Sequence, residues 1–357
     1  MIRALIVGGG PAGAACAIGL ARAGLPHLLV ERTRETGDAL CGGFLSWRTL
    51  DRLATLGIDA DALNRQRLTQ VRLFAGKRTA TAALPHPALA VSRRRLDTLL
   101  LAQAIDSGAA VERGVTVRAI EDGEARLADG AALAAGTLFL ASGKHDVRGL
   151  ARPAEARGAD PTLGLRVRLP ASPHLTRLLA RAIELHLFPG GYAGLCLQED
   201  GSANLCMAVH RSRLTEAGSP EQLLARLGEE LPELGVRLAH AEAGAPIDAI
   251  ANVPYGWRAH DAPLGVVRLG DQAGVIPSLA GEGMGIAIAS GIAAARAYAA
   301  DPTMRDWQPR FARRLARPIG VASLVRQVVE SRLGAAALVA ARPALIDVIA
   351  RLTRVGA

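Results

Sequence analysis

The chain opens with an apolar run of strand length, Ile2 to Val7, which stops at Gly8-Gly9-Gly10-Pro11-Ala12-Gly13 and gives way to an alanine-rich helical stretch ending near Ala23. A second apolar run, Leu28 to Val30, ends at Glu31. Strand, glycine turn, helix and strand in this order predict a βαβ unit. Farther along, Ser46 to Leu56 sets Trp47, Leu50, Leu53 and Leu56 on one helical stripe, and Arg94 to Ser107 reads as a helix closed by Gly108. Between them, Val71 to Phe74 and Thr79 to Leu84 have strand character. Val115 to Ile120, Glu124 to Ala128 and Ala131 to Leu133 predict a small meander turning at Asp122-Gly123 and Asp129-Gly130, and Thr137 to Ala141 a separate buried strand. From Pro161 the texture changes to alternating strands, at Leu163 to Leu169, Ile183 to Phe188, Ala193 to Gln198 and Ala203 to Val209. One helix is expected between the first two strands and a helix pair after Ser219. Gly265 to Leu269 returns to a buried strand, and the last fifty or so residues read as amphipathic helices.

The glycine turn carries the first chemistry. Gly8 permits the tight turn, Gly10 lets backbone approach a diphosphate, and Gly13 lets the helix pack close to the strand, the GxGxxG arrangement of a dinucleotide site. The helix start offers unpaired N–H groups and a positive dipole end to phosphates. Glu31, at the tip of the second strand, can accept both hydroxyls of a ribose.

Bulk composition narrows the class. A chain of 357 residues that is 50% hydrophobic and 21% charged is globular and long enough for about two domains. No uninterrupted apolar run of transmembrane length is read, and the interrupted N-terminus lacks a signal-peptide layout. Cys16, Cys41, Cys196 and Cys206 form no CxxC or metal spacing, so no metal is expected and a reduced cytoplasmic setting is the default. The net charge of +9 rests almost wholly on arginine, because Lys77 and Lys144 are the only lysines. The arginines are dispersed apart from Arg93-Arg94-Arg95 and have no aromatic interleaving, which argues against nucleic acid. Attraction to a phosphate-bearing cofactor or a membrane surface competes with plain compositional bias as the reason for the charge.

A second constellation lies far down the chain. Gly270-Asp271 follows a predicted strand, Pro277 comes next, and Gly281-Glu282-Gly283-Met284-Gly285 opens an apolar helix running to about Ala300. A carboxylate at a strand end can hold ribityl hydroxyls, and a glycine-flanked helix start can face the electron-rich edge of a reduced flavin. These residues resemble the GDxxxxxxP motif and following turn of the FAD-dependent superfamily of para-hydroxybenzoate hydroxylase and geranylgeranyl reductase. Arg93, with Leu96 and Asp97, is similar to that family's RxxFD segment. Cys41-Gly42-Gly43-Phe44-Leu45-Ser46 resembles the CxGxLS segment of geranylgeranyl reductases, and Phe188-Pro189-Gly190-Gly191 with Asn204 resembles their FPxG…N stretch. Departures are specific. Gly274 stands where hydroxylases carry a histidine, Ala141-Ser142-Gly143 lacks their aspartate, Arg148 comes one residue early, and the WxWxIP pattern of flavin halogenases is missing.

The resemblance implies an α/β protein with a glutathione-reductase-like FAD-binding Rossmann domain, an inserted α+β substrate domain and a C-terminal helical tail. The FAD-binding parts are 1–70, 91–160 and 262–303, the substrate parts 71–90 and 161–261, and the tail 304–357. FAD is assigned to Gly8, Gly10, Ala12, Gly13, Glu31, Arg32, Gly42, Arg93, Val117, Gly143, Asp271, Gly283 and Met284; a hydrophobic substrate is assigned to Phe188, Tyr192, Trp257 and Pro277; Cys41 is the catalytic candidate. With no second GxGxxG, NADH or NADPH is expected only as a transient donor. The leading expectation is reduction of an isoprenoid or polyketide-like molecule. Alternatives are NAD(P)H-dependent hydroxylation of an aromatic substrate, and non-redox use of FAD by a cyclase or isomerase. The tail is expected to cap the core, with a dimer face or peripheral membrane contact as its other readings.

Overall fold

A computed structural model describes residues 2–341 and 343–356. Its first elements are β1 (Ile2–Val7), α1 (Pro11–Arg22) and β2 (Leu28–Glu31). α1 starts at Gly10 with Pro11 in its first turn, where a missing N–H costs nothing. Next come β3 (Phe44–Leu45), α2 (Trp47–Thr55), α3 (Ala60–Leu63), β4 (Leu68–Ala75) and β5 (Arg78–Ala90). The stretch from α4 (Arg93–Asp106) continues through β6 (Ala110–Arg113), β7 (Val117–Glu121), β8 (Glu124–Leu127) and β9 (Ala132–Leu140). Ser46 and Ser92 cap α2 and α4, each accepting an N–H from three residues on.

The middle of the chain forms β10 (Thr162–Leu169), α5 (Pro173–Leu179), β11 (Ala182–Phe188), β12 (Gly191–Leu197), β13 (Ala203–His210), α6 (Arg211–Ala217), α7 (Pro220–Glu230), α8 (Pro232–Leu238) and β14 (Asp248–Val253). It ends with β15 (Val266–Arg268), α9 (Gly283–Ala300), α10 (Trp307–Val329), α11 (Arg332–Ala340) and α12 (Pro343–Leu352).

Two sheets organise these elements. One runs β6-β2-β1-β9-β8-β7 with β15 also on β9, and the other runs β14-β10-β13-β12-β11-β4-β5-β3. Around β1 the first sheet is parallel, with β2 and β9 on either side, and its strands are covered by α1, α4 and α9 in the largest apolar core. The second sheet has its own core, closed by α5, α7 and α8.

Several expectations change here. The segments at Ala131 and Thr137 are one strand, β9, whose first half pairs antiparallel with β8 and whose second half runs parallel to β1 and β15. β5 runs past Leu84, where the expected strand stops, through Pro85 and Pro87, and an irregularity in its register with β4 between Leu68 and Gln70 accommodates them. Strands β6 and β14 and helix α6 carry little periodic signal in the sequence because their burial is shallow or their length short. α9 meets the length and hydropathy of a membrane span, contrary to the sequence reading, but 61% of it is buried inside the fold.

Candidate functional site: a flavin-type groove opening into an apolar cavity

The glycines of the first turn are spatially required. A Cβ on Gly13 would lie 1.9 Å from the Gly8 carbonyl oxygen, and one on Gly8, whose φ is +106°, would lie 2.6 Å from that of Ala141. At Gly10 the nearest atom is a guanidinium nitrogen of Arg93, 3.3 Å from a Cβ there. Arg93 is fixed by a bidentate pair with Asp97 at 2.9 and 2.7 Å, so its charge stands over the turn where a diphosphate would lie. Burial works against that cation, but the Asp97 carboxylate and its hydrogen bonds raise the Arg93 pKa. The Glu31 carboxylate accepts the Gly9 N–H at 2.7 Å and the Thr33 N–H at 2.9 Å, which orients it along the turn. Arg32 meets His145 at 3.1 Å across the groove. Val117 lies on β7, against the small core that contains Val30.

The two distant glycine turns meet. A Cβ on Gly270 would touch the Ala12 side chain at 3.1 Å, and one on Gly291, in α9, would lie 2.3 Å from the Ala12 carbonyl oxygen. Only small residues on both sides let α1 and α9 approach this closely, and that contact carries Asp271 and Gly283 to the end of the nucleotide groove. The Cys41–Ser46 turn closes from a third side. Phe44 abuts Gly281, Asn204 donates to the Cys41 carbonyl at 2.9 Å, and the Cys196 thiol donates to that of Gly42 at 3.3 Å. A side chain added at Gly42 or at Gly283 would meet open space. Open backbone faces at Gly42 and Gly283, a helix start and a strand-end carboxylate are what a flavin requires, so the residues present fit FAD.

Lys144 also belongs to this junction. Its ammonium lies 3.7 Å from Asp271 and 3.4 Å from the Leu40 carbonyl. Gln272 holds the loop by donating to the carbonyls of Gly143 and His145 at 2.9 and 3.0 Å, and Arg152 spans from Asp146 to the Asp271 carbonyl. Burial disfavours the ammonium, yet the Asp271 carboxylate holds its pKa above the ordinary lysine value. Rarity was the available signal, since the chain has two lysines.

From this junction a cavity of about 230 Å³ runs between the second sheet and the tail. Cys41, Gly42, Phe44, Lys144, Asp271, Gly283 and Met284 line one end. Its walls are aliphatic, with Val71, Leu73 and Leu84 from β4 and β5, Ile183, Leu185 and Leu187 from β11, and Val325, Leu338, Ile346 and Ile349 from the tail. The polar groups on these walls are Thr353 and Arg354 of the tail and a hydroxyl cluster in which Tyr192 and Tyr255 both hydrogen-bond Ser278, the latter at 2.7 Å. Arg326 lies 4.9 Å above the Tyr255 ring. Burial raises both tyrosine pKa values, so these hydroxyls stay protonated.

The candidate substrate residues divide. Tyr192 lines the cavity. Phe188 does not, because β11 points Ile183, Leu185 and Leu187 inward and by alternation turns Phe188 into the second core at 1% exposure. Trp257 is also outside, with the guanidiniums of Arg152 and Arg268 at 5.9 and 6.0 Å from its ring centre. Pro277 is buried between Ile276 and Ser278, which line the wall that it does not reach. Cys41 is half-buried on the cavity, with Cys196 and Cys206 near it. Burial pushes each of the latter two thiols up to about 12, which keeps them protonated.

A buried ion cluster ties the tail to the flavin-type turn. Glu282 is fully buried, bonded to Ser46 at 2.9 Å and Arg354 at 3.2 Å, with Arg52 at 3.8 Å. Arg354 also donates to the Ala280 carbonyl at 2.6 Å, and Arg52 and Arg314 grip the carbonyls of Val355 and Gly356.

Residues 1–136 match the protein family described as FAD binding domain. No curated protein matches the sequence. Among solved structures, a flavoprotein/dehydrogenase from Cytophaga hutchinsonii is 17% identical with a TM-score of 0.77, covering 99% of this chain and 92% of its own. A probable FAD-dependent monooxygenase from Pseudomonas aeruginosa is 18% identical with a TM-score of 0.70, covering 95% of this chain and 100% of its own. A flavin-dependent brominase is 18% identical with a TM-score of 0.73, covering 99% and 93%. These likenesses show a shared fold; none of them points to the geranylgeranyl reductase branch.

Proposed function

We propose that this chain is an FAD-dependent monooxygenase, resembling the superfamily of para-hydroxybenzoate hydroxylase, that hydroxylates an apolar, aromatic small molecule bearing one polar group. This puts hydroxylation ahead of the reduction expected from the CxGxLS-like and FPxG-like segments. The observation that carries the reading is the cavity itself, which leads from the Gly42 and Gly283 faces along aliphatic walls to the Tyr192–Ser278–Tyr255 hydroxyls. The monooxygenase among the structural relatives supports it as analogy of fold.

The residues divide the work. Gly8, Gly10, Ala12, Gly13, Glu31, Arg32 and Arg93 would hold the adenylate and diphosphate, and Gly143, Asp271, Gly283 and Met284 would hold the ribityl and ring end. Bound FAD would supply the two electrons by which oxygen is split between substrate and water, drawn from NADH or NADPH visiting transiently. The α9 start and the Lys144 ammonium would place positive potential near a bound flavin, which would favour its electron-rich state. The aliphatic walls exclude water, and because Tyr255 donates to Ser278, the protonated Tyr192 is the hydroxyl left to donate to a substrate hydroxyl or carbonyl and so to fix its orientation. Cys41 is assigned to the cavity wall rather than to a chemical step.

Stopped-flow mixing of the yellow protein with NADH or NADPH under argon, then with oxygen and a panel of apolar phenols, tests this reading. Donor-dependent bleaching followed by oxygen uptake matched to hydroxylated product is the expected result. Product formed anaerobically by loss of a double bond, or formed while the flavin stays oxidised, overturns it.

A further inference from the structure

We propose that the outer face of the C-terminal helices is a docking surface for an anionic lipid bilayer. Nine large apolar side chains are strongly exposed among the described residues, and six of them fall in this one segment: Leu324, Val328, Leu333, Leu345, Val348 and Leu352. Leu324 and Val328 follow Arg317 at helical spacing on α10, and Leu345, Val348 and Leu352 repeat the stripe on α12. The opposite sides of the same helices are already used, since Val325, Leu338, Ile346 and Ile349 line the cavity. The exposed stripe therefore has no partner within the fold and is not the edge of a core.

Charge decides what covers it. Between Met304 and Ala357 the sequence holds ten arginines and three acids, Asp306, Glu330 and Asp347. Glu330 is consumed by Arg326 and His210, and Asp347 by Arg351. Exposed Arg313, Arg317 and Arg332 have no ion-pair partner among the described residues. A second copy packed on this face about a twofold axis would set like charges together, whereas an anionic bilayer satisfies both the arginines and the leucines. α11 and α12, of 9 and 10 residues, are about half as long as a helix needs to cross the roughly 30 Å hydrocarbon layer, so the pair would lie along the surface. An apolar ligand dissolved in that layer then has the cavity on the far side of the same helices.

Flotation of the FAD-loaded protein with vesicles tests the surface, using phosphatidylcholine alone and an equal mixture with phosphatidylglycerol. Binding about tenfold stronger to the anionic vesicles, weakened by salt, is expected. The double variant Leu333→Glu with Leu345→Glu should lose about tenfold in anionic-vesicle binding while keeping its flavin spectrum and melting temperature. Arg313→Gln with Arg317→Gln should lose the preference for anionic lipid. Wild-type protein that floats with neither vesicle overturns the proposal, as does binding that the leucine variants leave unchanged. A dimer in light scattering that the leucine variants dissociate, without vesicle binding, assigns the face to a second copy and overturns it as well.

Discussion

Replacing Arg354 by methionine strips one member from a buried pair while keeping the volume of the side chain. In the native fold the Arg354 side chain is 4% exposed and that of Glu282 0%, with nitrogen and oxygen 3.2 Å apart. At an effective dielectric near 20 their attraction is roughly 5 kcal/mol, and the desolvation each ion suffers is of the same order. Burial accordingly drives the Glu282 pKa up and the Arg354 pKa down despite their contact, and Glu282 Oε1 and Arg354 Nε have no hydrogen-bond partner. The pair is thus close to neutral as a pair and costly to break. Arg354→Met leaves the carboxylate with Ser46 and the more distant Arg52, so a loss of about 3 kcal/mol is expected. For a chain of this size that is a fall of about 4 °C in Tm. Because Glu282 immediately precedes Gly283 at the start of α9, FAD affinity should drop several-fold with it.

The assay is a double-mutant cycle read by denaturant unfolding and by FAD titration. Glu282→Gln alone should also destabilise, since it leaves Arg354 buried without its counter-charge. Glu282→Gln with Arg354→Met together should be less damaging than the sum of the singles by about 1–3 kcal/mol. Strict additivity, or an Arg354→Met protein as stable as wild type, would refute the reasoning and mean that the tail is not held by this pair.

Gly13→Ala sets a methyl group 1.9 Å from the Gly8 carbonyl oxygen, so the variant should purify without flavin, and a fully yellow preparation would contradict the packing argument. Lys144→Met should lower the midpoint potential of bound flavin and weaken FAD binding, measured by dye-coupled reduction; an unchanged potential would place the ammonium away from the ring. Tyr255→Phe removes one of the two hydroxyls on Ser278 and should raise the KM of a phenolic substrate several-fold with little change in kcat. His186 is 1% exposed, and burial holds its pKa below the ordinary 6.5, with Glu184 opposing. Its neutral form is the folded one, so its contribution to stability is present above pH 6.5 and fades as pH falls from there toward the lowered native value. His186→Gln should flatten that part of the stability profile.

The glycine-turn end of the candidate site is legible because its constraints are local. A turn that tolerates only glycine, a strand before it and an acid after it lie within the first 31 residues, and chain order alone brings them together. The ring end was legible in part, because Gly270-Asp271 and Gly281 to Gly285 repeat that local logic elsewhere. Lys144 was not, because its role comes from Asp271, 127 residues away, and from a loop pinned by Gln272 and Arg152. Phe188 was misassigned for a different reason. Motif likeness ignored strand alternation, and on β11 the odd positions face the cavity. Trp257 shows the complementary error, since an aromatic in a loop packs against cations as readily as it lines a pocket.

The tail gives those separate signals a common physical cause. Its helices have to be apolar on the inside to wall the cavity, and its last residues have to reach the flavin-type turn, where Glu282, Arg52 and the Val355 carbonyl hold them. A segment fixed at its end and by its inner face cannot rotate to hide its outer face. Leu324, Leu333 and Leu345 are therefore exposed as a consequence of how the cavity is closed, and removing the tail anchor should change both cofactor retention and the behaviour of that surface. If Arg354→Met weakened FAD binding yet left vesicle binding at its wild-type level, the two faces of the tail would be energetically independent, and the link argued here between closing the cavity and exposing the stripe would fail.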